Sequence, residues 1–340
     1  MSRPAAFAPL EWTIPKRPLG AHMSIAGGME TAVERAVATG ATALQVFTKS
    51  SNQWAARPFA DGEPERFRAA ARAAGIDAVV AHDSYLINLC SPDDALWERS
   101  IEACALELER CVALGIPWLV THPGAHMGRG EEFGTRRMAE AIDRVHARVP
   151  GREASIALET TAGQGTILGH RFEQIAAILA RLGDPGRAGV CLDTCHVFAA
   201  GYDLRTPAAY AETMRRFAGE IGFDRLIAVH VNDSKQGLGS RVDRHEHIGR
   251  GHLGLESFRS LMNDARLVRV PLVLETPKGE DGREDVANLA RLVGLVADAP
   301  RNRRPAAFAG AGRGRRPAPA TASGGAGGRA TAGRAARSRA

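Results

Sequence analysis

The sequence predicts an α/β fold, a (β/α)8 TIM barrel spanning residues 18–300, and three observations carry that prediction. Short apolar segments alternate with longer segments of helical period. Eight such pairs fit into about 280 residues, the length of a single closed barrel rather than of two domains. No G-x-G-x-x-G follows an early strand, which disfavours a doubly wound open sheet.

The elements follow in order. Strands are expected at 19–23, 43–47, 77–82, 118–122, 155–159, 189–193, 226–231 and 272–275, each a run of Ala, Val, Leu or Ile that closes on or next to a polar residue. Helices are expected between them at 29–38, 63–74, 93–114, 135–149, 171–182, 207–218, 255–262 and 283–296. Gly40, Gly75, Gly115 and Gly183 fall just after four of these helices, where a left-handed C-cap is needed.

Composition bounds the rest. Hydrophobic residues at 44% and charged residues at 24% exclude global disorder. No run of 18 apolar residues exists, so no membrane span is expected, and Pro, Glu and Lys interrupt the first 17 residues, so no signal peptide is expected there. Five cysteines without a C-x-x-C argue for a reducing compartment, the cytoplasm. The net charge of +6 is unevenly spread: residues 301–340 hold ten Arg and no Asp or Glu, so the first 300 residues carry −4. Ala, Gly and Arg make up 31 of those last forty residues. A segment with so little to bury is expected to be disordered. Its basicity fits either a solvated extension or an arm for nucleic-acid phosphates. Residues 1–17 are read as a short N-terminal extension.

The chemistry sits at the strand ends. His82, His122, Glu159 and Asp193 close strands three to six, with His196 three residues beyond the last of them. His230 lies on strand seven, Asp243 and His245 follow it in a loop, and Glu275 closes strand eight. Each alone has an ordinary reading: a hydrogen-bonded histidine, a salt-bridged carboxylate, a helix cap. Together they would converge on one barrel mouth, where catalytic groups sit. So many ionisable groups at one place are costly unless cations lie between them. Imidazole with carboxylate suits Zn²⁺ or Mn²⁺, and nine donors serve about two to three ions. A mouth made positive by those ions would take an anionic substrate.

These residues lie in segments that carry a resemblance: GAHMSIAGG (20–28), HDSYLINL (82–89), HPGAH (122–126), LETTAGQG (158–165), CLDTCH (191–196), HVNDSK (230–235), DRHEHIG (243–249) and LETP (274–277). Across residues 18–300 the chain resembles the endonuclease IV family of apurinic/apyrimidinic (AP) endonucleases. The resemblance implies a TIM barrel with three zinc ions, or manganese at one site. It implies hydrolysis of the phosphodiester 5′ to an abasic site in duplex DNA, leaving 3′-hydroxyl and 5′-deoxyribose phosphate ends. By the same resemblance, His82, His122 and Glu159 hold the first ion, and Glu159, Asp193, His230 and Glu275 the second. His196, Asp243 and His245 hold the third, and Glu159 is the bridging, catalytic carboxylate. No side-chain nucleophile is needed. Tyr85 and Leu86 are the implied insertion residues for a flipped abasic nucleotide, with Asn52 the DNA contact in the loop after strand two. Many relatives carry arginine where this sequence has Asn52, which keeps hydrogen bonding and loses the cation. A monomer acting near the nucleoid completes the expectation.

Other features take plainer readings. Gly163-Gln164-Gly165 is a tight turn near the mouth. His22 lines the site without being a ligand, His126, His247 and His252 are structural or supporting, and Cys195 is packed rather than reactive. Two other functions compete. A metal-dependent sugar isomerase or epimerase could use Glu159, Asp193, His230 and Glu275, but has no need of His196, Asp243 and His245. A non-catalytic DNA-damage binder has no need of a bridged metal pair.

Overall fold

The barrel begins at β1 (Leu19–His22) and β2 (Ala43–Phe47), joined through α1 (Met29–Ala38) in a computed structural model that describes residues 17–279 and 281–297. The chain continues through α2 (Glu63–Ala73), β3 (Ala78–His82), α3 (Asp94–Leu114), β4 (Trp118–Thr121), α4 (Glu131–Arg148), β5 (Ser155–Glu159) and α5 (Phe172–Leu179). Then come β6 (Ala188–Asp193), α6 (Thr194–Ala199), α7 (Pro207–Glu220), β7 (Leu226–His230), β8 (Asp233–Ser234), β9 (His245–Glu246), α8 (Gly254–Met262), β10 (Leu272–Leu274) and α9 (Arg283–Val293). Eight parallel strands close in the order β1-β10-β7-β6-β5-β4-β3-β2, as the alternating pattern predicts. Most of residues 1–17 and all of the basic segment 301–340 lie outside the described residues.

Local chemistry accounts for the helix ends. The Asp93 side chain accepts from Leu96 N to start α3, and Gly115 at φ 70° ends it. Thr206 caps α7 by accepting from Ala209 N, with Pro207 in its first turn. Gly20 is obligatory for a different reason. It faces Ala43 across the β1–β2 ladder, and a Cβ there would lie 1.8 Å from the Ala43 carbonyl oxygen.

The structure differs from the expected elements in three respects. Helix α4 starts four residues early and runs through Gly134, where a Cβ would meet Leu168 at 2.7 Å. The glycine is a close-packing site, not a breaker. Helix α6 and the β8/β9 pair lie outside the expected set: α6 is six residues long and wholly buried, so it shows no polar face, and the hairpin strands are two residues each. Five strands, β1, β3, β4, β7 and β10, are one residue shorter than expected, and in β4 and β10 the residue left outside is the polar one, His122 and Glu275.

Candidate metal centre

Strand alternation builds the site. Val80, Val120, Ala157, Cys191, Ala228 and Val273, one from each of β3 to β7 and β10, pack together inside the barrel. Two residues further along the chain from each come His82, His122, Glu159, Asp193, His230 and Glu275, on the strand or, for His122 and Glu275, just past its end. A step of two returns a side chain to the same face, so these six form a second layer above the apolar one, at the C-terminal mouth. The β1–β2 register, Gly20 with Ala43 and His22 with Gln45, continues both layers. The other three predicted groups arrive from outside the strands of the barrel: His196 from the first turn of α6, Asp243 from the loop before β9, and His245 from β9.

Glu159 is central. Its Oε2 lies 3.0 Å from His82 Nε2 and 3.3 Å from His122 Nε2, and its Oε1 lies 3.0 Å from His230 Nδ1 and 3.1 Å from His196 Nδ1. The Oε2 of Glu275 is 3.2 Å from His230 Nδ1. The Nε2 of His245 lies 3.6 Å from Asp193 Oδ2 and 3.4 Å from Asp243 Oδ1, and His196 Nε2 lies 3.2 Å from Asp243 Oδ2. Three sets each bring their donor atoms within 4.8 Å of one another: His82, His122 and Glu159; Glu159, Asp193, His230 and Glu275; and His196, Asp243 and His245. A fourth grouping, Asp193 with Cys195 and His245, shares two members with these. Burial pushes the Cys195 thiol up to about 12, so it is protonated in the ion-free cluster.

Four of the five imidazoles are anchored by one nitrogen to an oxygen outside the carboxylates of the cluster. His82 Nδ1 donates to Asp83 O at 2.9 Å, His196 Nδ1 to Thr160 O at 2.8 Å and His245 Nδ1 to Glu275 O at 3.1 Å. His230 Nε2 donates to Gln45 Oε1 at 2.7 Å. A carbonyl oxygen can only accept, so each bond fixes a proton on that nitrogen and leaves the other to face the cluster. The buried Nε2 atoms of His196 and His245 have no hydrogen-bond partner. Asp243 stands within ion-pair distance of both but out of hydrogen-bond alignment. The donor atoms of His196, Asp243 and His245 nevertheless lie within 4.8 Å of one another, and a nitrogen–oxygen set of this kind fits a divalent ion of the zinc or manganese type.

The electrostatics agree. Burial pushes His82 down, but the hydrogen bond and charge of Glu159, with Asp83 and Glu275, outweigh it and raise the group to about 9. His196 and His230 are likewise raised against burial by the carboxylates around them. Burial pushes Asp243 up, but His196, His245 and His122 bring it down to about 2. Glu159 and Glu275 are held low by the same imidazoles despite burial. Without ions, the ionised Glu159, Asp243 and Glu275 stand beside protonated His82, His196 and His230, and an ion would take the place of those protons.

Two supporting residues carry no mark in the sequence. The Gln45 amide donates to Glu275 Oε1 at 2.6 Å and to His22 Nδ1 at 2.9 Å while accepting from His230. The Asn232 amide donates to Asp193 Oδ2 at 2.6 Å and accepts from Glu275 N at 2.8 Å. His22 borders the cluster through Gln45 and lies 3.6 Å from Glu275, as expected of a lining group. His126 closes its own loop by accepting from Gly130 N, and His247 is within 3.1 Å of Asn288 Nδ2. His252 is exposed. Gln164 occupies the expected turn, where Ile167 N donates to its carbonyl oxygen. Tyr85 is 64% exposed and Leu86 half-buried in the loop after β3, and Asn52 is exposed in the loop after β2.

The barrel and the donor cluster at its mouth define a xylose isomerase-like TIM barrel, and the family model of that description matches residues 33–292. A protein described as probable endonuclease 4 from Geobacter sulfurreducens is 54% identical over 278 residues, covering 82% of this chain and 94% of that one. The crystal structure of endonuclease IV from Thermus thermophilus is 39% identical, with a TM-score of 0.73 over 82% of this chain and 98% of that one. The chain belongs to the endonuclease IV family. A D-tagatose 3-epimerase-like protein is 16% identical with a TM-score of 0.62, over 82% of this chain and 98% of that one. That likeness is one of fold alone.

Proposed function

We propose that the protein is a DNA-repair endonuclease that cuts duplex DNA 5′ to abasic sites, leaving 3′-hydroxyl and 5′-deoxyribose phosphate ends. The observation that carries this reading is the third donor set, His196, Asp243 and His245, beside a complete Glu159–Asp193–His230–Glu275 quartet. The quartet alone would serve a sugar isomerase or epimerase; the additional set has no use there and suits a multi-ion phosphodiesterase. The 54% identity to a probable endonuclease 4 points the same way.

In this reading the nine residues hold three divalent ions, zinc or with manganese at one site, which supply Lewis acidity and positive charge for hydrolysis of the phosphodiester. Glu159 offers one oxygen to each of two sets and holds them at a fixed spacing. Gln45 and Asn232 hold Glu275 and Asp193 in orientation. Tyr85 and Leu86 enter the gap left by the flipped nucleotide, and Asn52 contacts the duplex nearby. Residues 18–300 form the endonuclease domain, and 301–340 form a basic tail that adds phosphate contacts. The protein acts as a monomer in the cytoplasm, at the nucleoid. Among the described residues no helix is long and apolar enough to cross a membrane.

The test is cleavage of an abasic duplex before and after chelation, with metal content measured in parallel. Strand scission 5′ to the lesion by protein holding about three ions, lost on chelation and restored by zinc, is the expected result. Full activity in metal-free protein would overturn the reading.

A further inference from the structure

The loop after β4 holds a strained residue that the metal centre does not use. Met127 has φ 47°, one of two non-glycine residues in the left-handed region among the described residues, and its side chain is 65% exposed. An unbranched apolar side chain has no local reason to adopt that conformation. The surrounding loop enforces it. Met127 N donates to Thr166 Oγ1 at 3.1 Å, His126 N to Thr166 O at 3.2 Å and Gly130 N to His126 Nδ1 at 3.0 Å. Strain held in place by so many bonds clusters where a side chain must be presented to a ligand.

The same frame ties Met127 to the loop that carries Tyr85. Asn88 grips Ala125 from both sides, donating to its carbonyl and accepting from its N–H, both at 3.0 Å. Gly124 permits the approach, since a Cβ there would lie 2.3 Å from Asn88 Oδ1. Two exposed apolar side chains, Tyr85 and Met127, thus stand on two clamped loops at the mouth that presents the donor cluster.

We propose that Met127 is a further DNA-contact side chain, an apolar probe that packs into the minor groove beside the Tyr85–Leu86 insertion. This rests on the proposed nuclease function. The contact is apolar, so its loss weakens binding equally at every salt concentration and leaves the counterion term alone.

Strain makes the test asymmetric. Met127→Gly removes the side chain and relieves the backbone, so the melting temperature is expected to hold or rise. KM for an abasic duplex is expected to rise about three- to tenfold, with kcat within about twofold and an unchanged slope of log kcat/KM against log salt. Met127→Asn, a polar residue tolerant of the left-handed region, keeps the loop stiff and is expected to show the same raised KM. Met127→Leu keeps the apolar contact and is expected to retain wild-type KM. A normal KM in the Gly or Asn variant overturns the inference, as does a fall in melting temperature with Gly, which would make Met127 a structural residue. Wild-type protein that does not cut the abasic duplex overturns the proposed function itself.

Discussion

Glu159 divides its two oxygens between two donor sets, so its charge holds the site together. Glu159→Gln is expected to abolish cleavage while far-ultraviolet circular dichroism and the melting temperature of the metal-free protein stay near wild type. A loss of less than tenfold in kcat would show that this carboxylate is not the bridge. His82 supports a second expectation at the same scale. Its imidazole is raised from 6.5 to about 9 in the ion-free cluster. A histidine raised by folding adds stability that is fully present below its unfolded value and is lost as pH climbs through the folded one. Chelated protein is therefore expected to lose melting temperature between pH 6.5 and 9, and zinc uptake in that window to release protons. Thermal scans of chelated and zinc-loaded protein across this range check it; a flat profile for the chelated form would contradict it. The nine donors were legible in the sequence because a core built of apolar strands has little use for His, Asp or Glu at the end of each. Gln45 and Asn232 were not, since a neutral amide in or beside a strand carries no chemical mark. The carbonyls of Asp83, Thr160 and Glu275 that hold imidazoles are backbone atoms, and any residue supplies those.

Two loops owe their relative placement to one buried ion pair. Lys49 Nζ, after β2, lies 3.1 Å from Glu107 Oε1 on α3 and donates to Gln53 O at 2.6 Å. Glu107 also accepts from Ser84 N at 3.1 Å and Thr48 Oγ1 at 3.0 Å, and Ser84 Oγ donates to Ser51 O at 2.6 Å. The loop with Asn52 and the loop with Tyr85 and Leu86 are thus fastened to a single helix. Glu107→Gln leaves the Lys49 charge buried without its partner and is expected to cost about 3–5 kcal/mol of stability. At a temperature where the variant remains folded, KM for an abasic duplex is expected to rise more than kcat falls. Denaturant melts and steady-state kinetics check both; a variant with unchanged stability would show that the pair is not a clamp. Barrel elements read well from sequence because a strand ending in polar residues and a helix closed by glycine are signals of several residues each. Helix α6 and the β8/β9 hairpin did not, because both are too short to carry a period: α6 is six buried residues behind a local cap, Asp193 accepting from His196 N, and the hairpin strands are two residues each, with Ser234 and His245 paired across a loop.

At the scale of the whole chain, charge is partitioned. Every residue of the His/Asp/Glu cluster precedes residue 276, and ten arginines follow residue 300. Deleting residues 301–340 is expected to leave kcat nearly unchanged while weakening binding to undamaged and abasic duplexes alike. Each lost phosphate contact removes about 0.9 from the slope of log K against log salt; equal slopes for full-length and truncated protein would leave the segment without a role in binding. The barrel interior has a consequence of its own. Beneath the donor layer lies a stopper of Val80, Val120, Ala157, Cys191, Ala228 and Val273, none more than 2% exposed. Traffic of water, ions and chelator therefore has one doorway, the mouth, and a duplex seated there would lock it. On the proposed function, ions would exchange through the mouth before the substrate arrives and be captive while it stays, so an uncleavable abasic duplex is expected to slow inactivation by chelator in proportion to its occupancy.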